Sequence, residues 1–133
     1  PSGGVRVAVF GDLKRHNMGS QLADPQSTPV AKPNGEQLVV GGVLAVVDPN
    51  RFLTPELWGA GNSGPWLHDG RAATLEEAIL LHGVDSPAPL GDSDRSEAQE
   101  ERDMFDALSD SDREAVVTFL KGLILVDVEG GGE

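Results

Sequence analysis

FLTPELWGAGNSGPWLHDGRAATLEEAILLHG, residues 52–83, is the stretch whose reading decides the rest of this 133-residue chain. It holds both tryptophans, Trp58 and Trp66, and two of the three histidines, His68 and His82. Up to Ala73 its glycines and prolines predict a loop whose backbone comes close to some other surface. Thr74 then opens a helix. Thr74-Leu75-Glu76-Glu77 has the form of a capping box, with Glu77 expected to reach back to the Thr74 amide, and Gly83 is a natural stop. Leu75, Ala78, Ile79 and His82 follow i, i+3, i+4, i+7, so His82 shares the apolar face of a two-turn helix.

That placement allows two readings. His82 is either a core histidine bonded to a backbone carbonyl or a neutral imidazole aimed at a metal or haem iron. A buried imidazole without a partner is costly, so something must satisfy it. His68 precedes the turn Asp69-Gly70-Arg71, where it either caps the turn or, with Arg71, binds anionic groups. His16 lies beside Lys14 and Arg15 and reads as part of a solvated basic loop.

Outward from this stretch, composition removes several classes of function. The formal charge is −12, and residues from Val84 onward carry 14 acidic against 4 basic side chains. An acidic surface of this kind repels phosphate backbones, which argues against nucleic-acid binding. The chain has no cysteine, so disulfides, thiolate metal sites and cysteine nucleophiles are excluded. No apolar run approaches the ~18 residues of a membrane helix. No HExxH spacing marks a zinc enzyme, and Asn62-Ser63-Gly64 lacks the pattern of a serine nucleophile elbow. Pro1 is not an initiator and no signal peptide is evident, so a mature form or fragment is expected. No internal repeat is found.

Along the chain, Val5, Val7 and Val9 alternate as a short strand would, and residues 25–37 read as an irregular loop. Residues 38–47, LVVGGVLAVV, predict a small hairpin turning at Gly41-Gly42. Residues 84–96 read as an acidic linker. A helix is expected from about Glu97 to Leu108 with Met104, Phe105 and Leu108 inward. Ser111-Asp112-Arg113-Glu114 suggests a second capping box ahead of an apolar stripe, Val116, Phe119, Leu120, Leu123 and Ile124. Gly122 weakens that helix slightly, and the tail VDVEGGGE is expected to fray.

Three segments carry a family resemblance. Thr54-Pro55-x-Leu57 through Pro65-x-x-His68-Asp69-Gly70-Arg71-x-x-Thr74-Leu75-Glu76-Glu77-Ala78-Ile79 resembles the C-terminal half of bacterial di-haem cytochrome c peroxidases. It is closer still to their di-haem oxidoreductase (thiol oxidoreductase-like) and MauG-like relatives. Asp12-Leu13-Lys14-Arg15-His16-Asn17-Met18-Gly19 with Leu22-Ala23-Asp24 is similar to a second segment of that family. Phe105, Leu108-Ser109, Asp112-Arg113 and Val117-x-Phe119-Leu120-Lys121 match a third.

The resemblance implies a mainly α, cytochrome c-like C-terminal portion with long loops and a small β-hairpin, a single partial domain over residues 1–133. In that family the residue fourteen positions after the HDG-type histidine is the distal axial ligand of the C-terminal haem, which here is His82. His68, Arg71, Trp58, Trp66 and Pro65 would then lie around the haem. A possible calcium is implied at the backbone of Ser63 and Pro65. The family's CxxCH motif does not occur, so haem c would be attached outside this chain, on a haem-bearing polypeptide or N-terminal fragment. A redox partner protein and a periplasmic or extracellular location are further implications. The reading from another class is a haem-free interaction subunit with an acidic docking face.

Overall fold

Gly41 and Gly42 both adopt positive φ, 59° and 82°, which is the backbone a two-residue primed turn demands and glycine supplies without strain. The turn joins β3 (Val39–Val40) to β4 (Val43–Leu44), with Val39 opposite Leu44 and Val40 opposite Val43. The expected hairpin is therefore present. In this computed structural model the described residues are 8, 10–62, 64–85, 91 and 94–125. Val5, Val7 and Val9 of the expected strand and the tail from residue 126 lie outside them, as do Ser63 and residues 86–90, 92 and 93 of the acidic linker.

The irregular loop expected over 25–37 is in fact paired. β2 (Thr28–Pro29) runs antiparallel to β5 (Val46–Val47), Ala31 bridges Gln37, and the Leu38 N–H donates to Val30 C=O at 2.7 Å. The prolines sit where a ribbon tolerates them, at edges that need no donor. A second ribbon joins β1 (Arg15–Asn17) to β6 (Arg51–Leu53), placing His16 opposite Phe52.

Three helices follow: α1 (Leu75–Leu80), α2 (Gln99–Asp106) and α3 (Asp110–Gly122). They hold 25% of the described residues, while strands and bridges hold 18%, so the fold is not mainly α. The expectation of a mainly α chain fails in its first half. There Gly and Pro divide the sequence into two- and three-residue strands, each too short for a helix nucleus to propagate.

Capping follows the sequence with two adjustments. Thr74 Oγ1 accepts the Glu77 N–H at 3.0 Å as expected, but the Glu77 carboxylate takes the Ala73 N–H, at 2.8 Å, rather than the Thr74 amide. α3 starts earlier than Ser111: Ser109 is its N-cap and accepts the Asp112 N–H. SDSD offers two serines in competing positions, and the one that follows the end of α2 most closely caps the helix.

The inward face of α2 also differs from expectation. Phe105 is buried, but Met104 is 58% exposed and Leu108 is at the surface. Gln99 and Arg102 are buried instead. Their partners explain it. The Gln99 amide accepts the Val84 N–H and donates to Val84 C=O, both at 2.9 Å, and Arg102 Nε donates to Leu80 C=O at 3.3 Å. Fully bonded polar groups can take core positions that unbranched apolar ones were expected to fill.

The core is small. Leu22, Ala72, Leu75, Ala78, Phe105 and Leu123 are its buried apolar side chains. No residue inside α3 is buried, and Phe119, Ile124 and Leu125 of the expected stripe and its extension stay exposed.

Candidate haem-facing region

The loop before α1 finds its close neighbour in the C-terminus of α3. Gly59 and Gly61 N–H groups both donate to Leu123 C=O, at 2.8 and 3.2 Å, and Asn62 exchanges two bonds with the Leu125 backbone. These satisfy the Leu123 carbonyl at the end of α3 and both backbone groups of Leu125 just beyond it. A Cβ at Gly61 would collide with the Lys121 carbonyl, so only glycine fits. Here the reading of the glycines as sites of close approach is met by a named surface.

Trp58 and Trp66 flank this cap. Trp58 Nε1–H donates to Ala8 C=O, and its ring lies 6.1 Å from Phe10, which meets Phe119 edge-on at 5.7 Å. Trp66 Nε1–H donates to Ala60 C=O at 2.9 Å. Both tryptophans are half-buried with their polar atoms satisfied. Pro65 packs on Gly70, and the Gly64–Pro65 peptide is cis.

Residues 66–72 close a tight turn. Trp66 and Ala72 pair as a bridge, and Gly70, at φ 71°, donates to Leu67 C=O at 3.1 Å. His68 leaves the turn with Nε2 3.0 Å from Asp24 and its ring stacked on Phe52 at 4.4 Å. Arg71 is clasped by Asp69 and donates to Gln21 C=O at 2.7 Å. The clasp and the Arg71 amide hold the Asp69 carboxyl below its ordinary range. The turn is thus anchored on Gln21 and Asp24, so two segments about fifty residues apart meet at His68 and Arg71.

His82 sits just past α1, half-buried, with Nδ1 2.7 Å from Ala78 C=O. A carbonyl only accepts, so Nδ1 carries the proton, and in the neutral ring Nε2 holds the lone pair. Among the described residues Nε2 has no hydrogen-bond partner, and no bond or ring contact joins His82 to His68, Arg71, Trp58 or Trp66. A backbone carbonyl that fixes one ring nitrogen and frees the other is the support that a metal-ligating histidine characteristically has. The Ala78 bond is also the partner expected of a histidine satisfied by a backbone carbonyl. No group of three His, Asp or Glu side chains converges on a metal site among the described residues.

His16 is not a solvated basic side chain. Its Nε2 lies 2.8 Å from Asp12 and its Nδ1 2.8 Å from Glu97. The Lys14 amide and the His16 ring lower Asp12 to about 2, the Asn17 amide and His16 lower Glu97, and Glu97 with Asp12 raises His16. Arg102, buried against Asp103 and Asp106, was equally unforeseen. A depression of about 380 Å³ beside α1 is lined by both charged and apolar side chains, Glu76, Glu77 and Arg102 with Leu80 and Leu81 among them.

No described helix is long and apolar enough to cross a membrane. No curated protein and no solved structure matches the chain. Residues 3–123 match the family described as "Di-haem oxidoreductase, putative peroxidase", which covers all three segments that carry the resemblance and every residue expected to face the haem. With nine-tenths of its length inside that match, the chain belongs to the di-haem oxidoreductase family.

Proposed function

We propose that this chain forms one wall of a haem site in a di-haem oxidoreductase and offers His82 Nε2 as an axial ligand. The observation that carries the reading is the Nδ1–H bond to Ala78 C=O at 2.7 Å, which in the neutral ring leaves the lone pair on Nε2 for a ligand. Family membership supplies the cofactor class. The sequence has no cysteine, so a c-type haem would be held by cysteines outside it. With the histidine of a CxxCH motif outside this chain as the other ligand, the haem would be six-coordinate and low-spin, suited to passing electrons rather than binding peroxide.

The chain's own residues then have distinct tasks. Thr74 and Glu77 fix the start of α1, and Leu75 and Ala78 seat it, which sets the position of His82. Trp58, Trp66 and Pro65 form the stiff loop beside it. His68 and Arg71, each paired with a carboxylate, would stand at an anionic edge such as a haem propionate. The exposed Phe119, Ile124 and Leu125 are the apolar surface that a haem-bearing region would cover. Such a protein is expected in the periplasm or outside the cell.

The test is the absorption and electron paramagnetic resonance spectrum of the haem-loaded protein with His82→Ala. A low-spin signal converting to high-spin is expected. A spectrum that keeps its low-spin signature overturns the assignment.

A further inference from the structure

His16 has no task in the haem wall, yet its surroundings are specific. The β1–β6 ribbon presents the ring between Asp12, four residues earlier, and Glu97, which precedes α2. An ionised carboxylate only accepts hydrogen bonds. Both 2.8 Å contacts are therefore bonds only while both ring nitrogens carry protons. The carboxylates are fixed in turn: Asp12 accepts the Lys14 N–H at 2.9 Å, and Glu97 accepts the Asn17 N–H at 3.1 Å. The other groups facing the cluster are the Thr54 hydroxyl near Asp12 and the Arg51 charge near Glu97, both on or beside β6. Arg95 and Glu100 line the groove next to Glu97.

We propose that Asp12, His16 and Glu97 form a proton-dependent latch between the β1–β6 ribbon and the entry to α2, shut while the imidazole carries both protons and released when it gives one up. After that loss one ring nitrogen points its lone pair at a carboxylate, so an attractive contact becomes repulsive. Glu97 is the more consequential side. Its backbone N–H donates to Asn17 C=O at 2.7 Å, Met18 bridges Ser96, and Gly19 packs directly on Asp94 C=O. Loosening Glu97 thus loosens the whole 94–97 seam. The ribbon also carries the change inward, because Phe52, opposite His16, stacks on His68. Both neighbouring carboxylates favour the charged ring, so release falls on the alkaline side of an ordinary histidine.

Arg95, exposed at the edge of the seam, makes the latch measurable by trypsin. In the full protein carrying this chain, cleavage after Arg95 is compared with cleavage of a small arginine amide substrate by the same trypsin, between pH 6.5 and 9. The ratio of the two rates should rise by up to about tenfold per pH unit across the interval between the free and latched titration of the ring, the slope of one proton. In His16→Gln, which cannot titrate, the ratio should be flat. A flat ratio in the unaltered protein, or an equal slope in His16→Gln, overturns the proposal. The unaltered protein alone decides the matter if the variant does not fold.

Discussion

His16 and its two carboxylates titrate in opposite senses, so pH should act on stability from both sides. The folded His16 value is raised, so its contribution is complete below the ordinary value near 6.5 and fades as pH rises through the higher folded value. Asp12 and Glu97 are lowered, so theirs are complete above the ordinary 3.8 and 4.5 and fade as pH falls through the folded values, about 2 for Asp12. Thermal melting of Asp12→Asn should therefore decline less steeply above pH 6.5 than the unaltered protein; parallel curves would show that Asp12 does not hold the ring. Gly19, at φ 72° and pressed on Asp94, is a second point of sensitivity. Gly19→Ala should cost about 1–3 kcal/mol, read from denaturant unfolding. Neither effect could be foreseen from spacing. Glu97 lies 81 positions from His16, and no periodicity encodes a contact of that range.

Elements were legible where local chemistry chooses between few conformations. Gly41-Gly42 and Thr74 each fix a backbone without help, and both the hairpin and the start of α1 stand where they were expected. Thr74→Ala should cost about 1 kcal/mol, measured by chemical denaturation, with the loss also visible at His82 because α1 spans only six residues. The orientation of α2 was illegible for a physical reason. Apolar periodicity picks out Met104 and Leu108, but Gln99 and Arg102 find backbone partners on Val84 and Leu80 and so displace them from the interior. The close-approach glycines were recognised, although nothing in sequence could name α3 as what they approach.

For the whole molecule, the balance of burial is the informative quantity. Six buried apolar residues make a thin core, whereas Phe119 stays 51% exposed and Phe10 42% exposed. In this chain by itself, Phe119→Ala should change stability by less than about 1 kcal/mol. In the haem-loaded protein, where the proposed covering region buries the ring, the cost should approach the ~3 kcal/mol of a core phenylalanine. Equal effects in the two forms would mean that the α3 face is left open. The mainly α expectation failed at this scale, because short ribbons rather than helices organise the first half of the chain.

The side-chain amide of Gln99 meets the Val84 peptide group as a neighbouring strand would, one donor to one acceptor in each direction. That reciprocity depends on a single NH₂ group. In Gln99→Glu, an oxygen of equal size would stand where the donor was, facing the Val84 carbonyl and the Asp103 carboxylate that the amide now binds at 2.9 Å. Shape would be preserved and polarity inverted, with three oxygens crowded at the hinge between α1 and α2. The seam that leads from His82 to α2 is thus written in the direction of one dipole, and a substitution invisible to sterics would undo it.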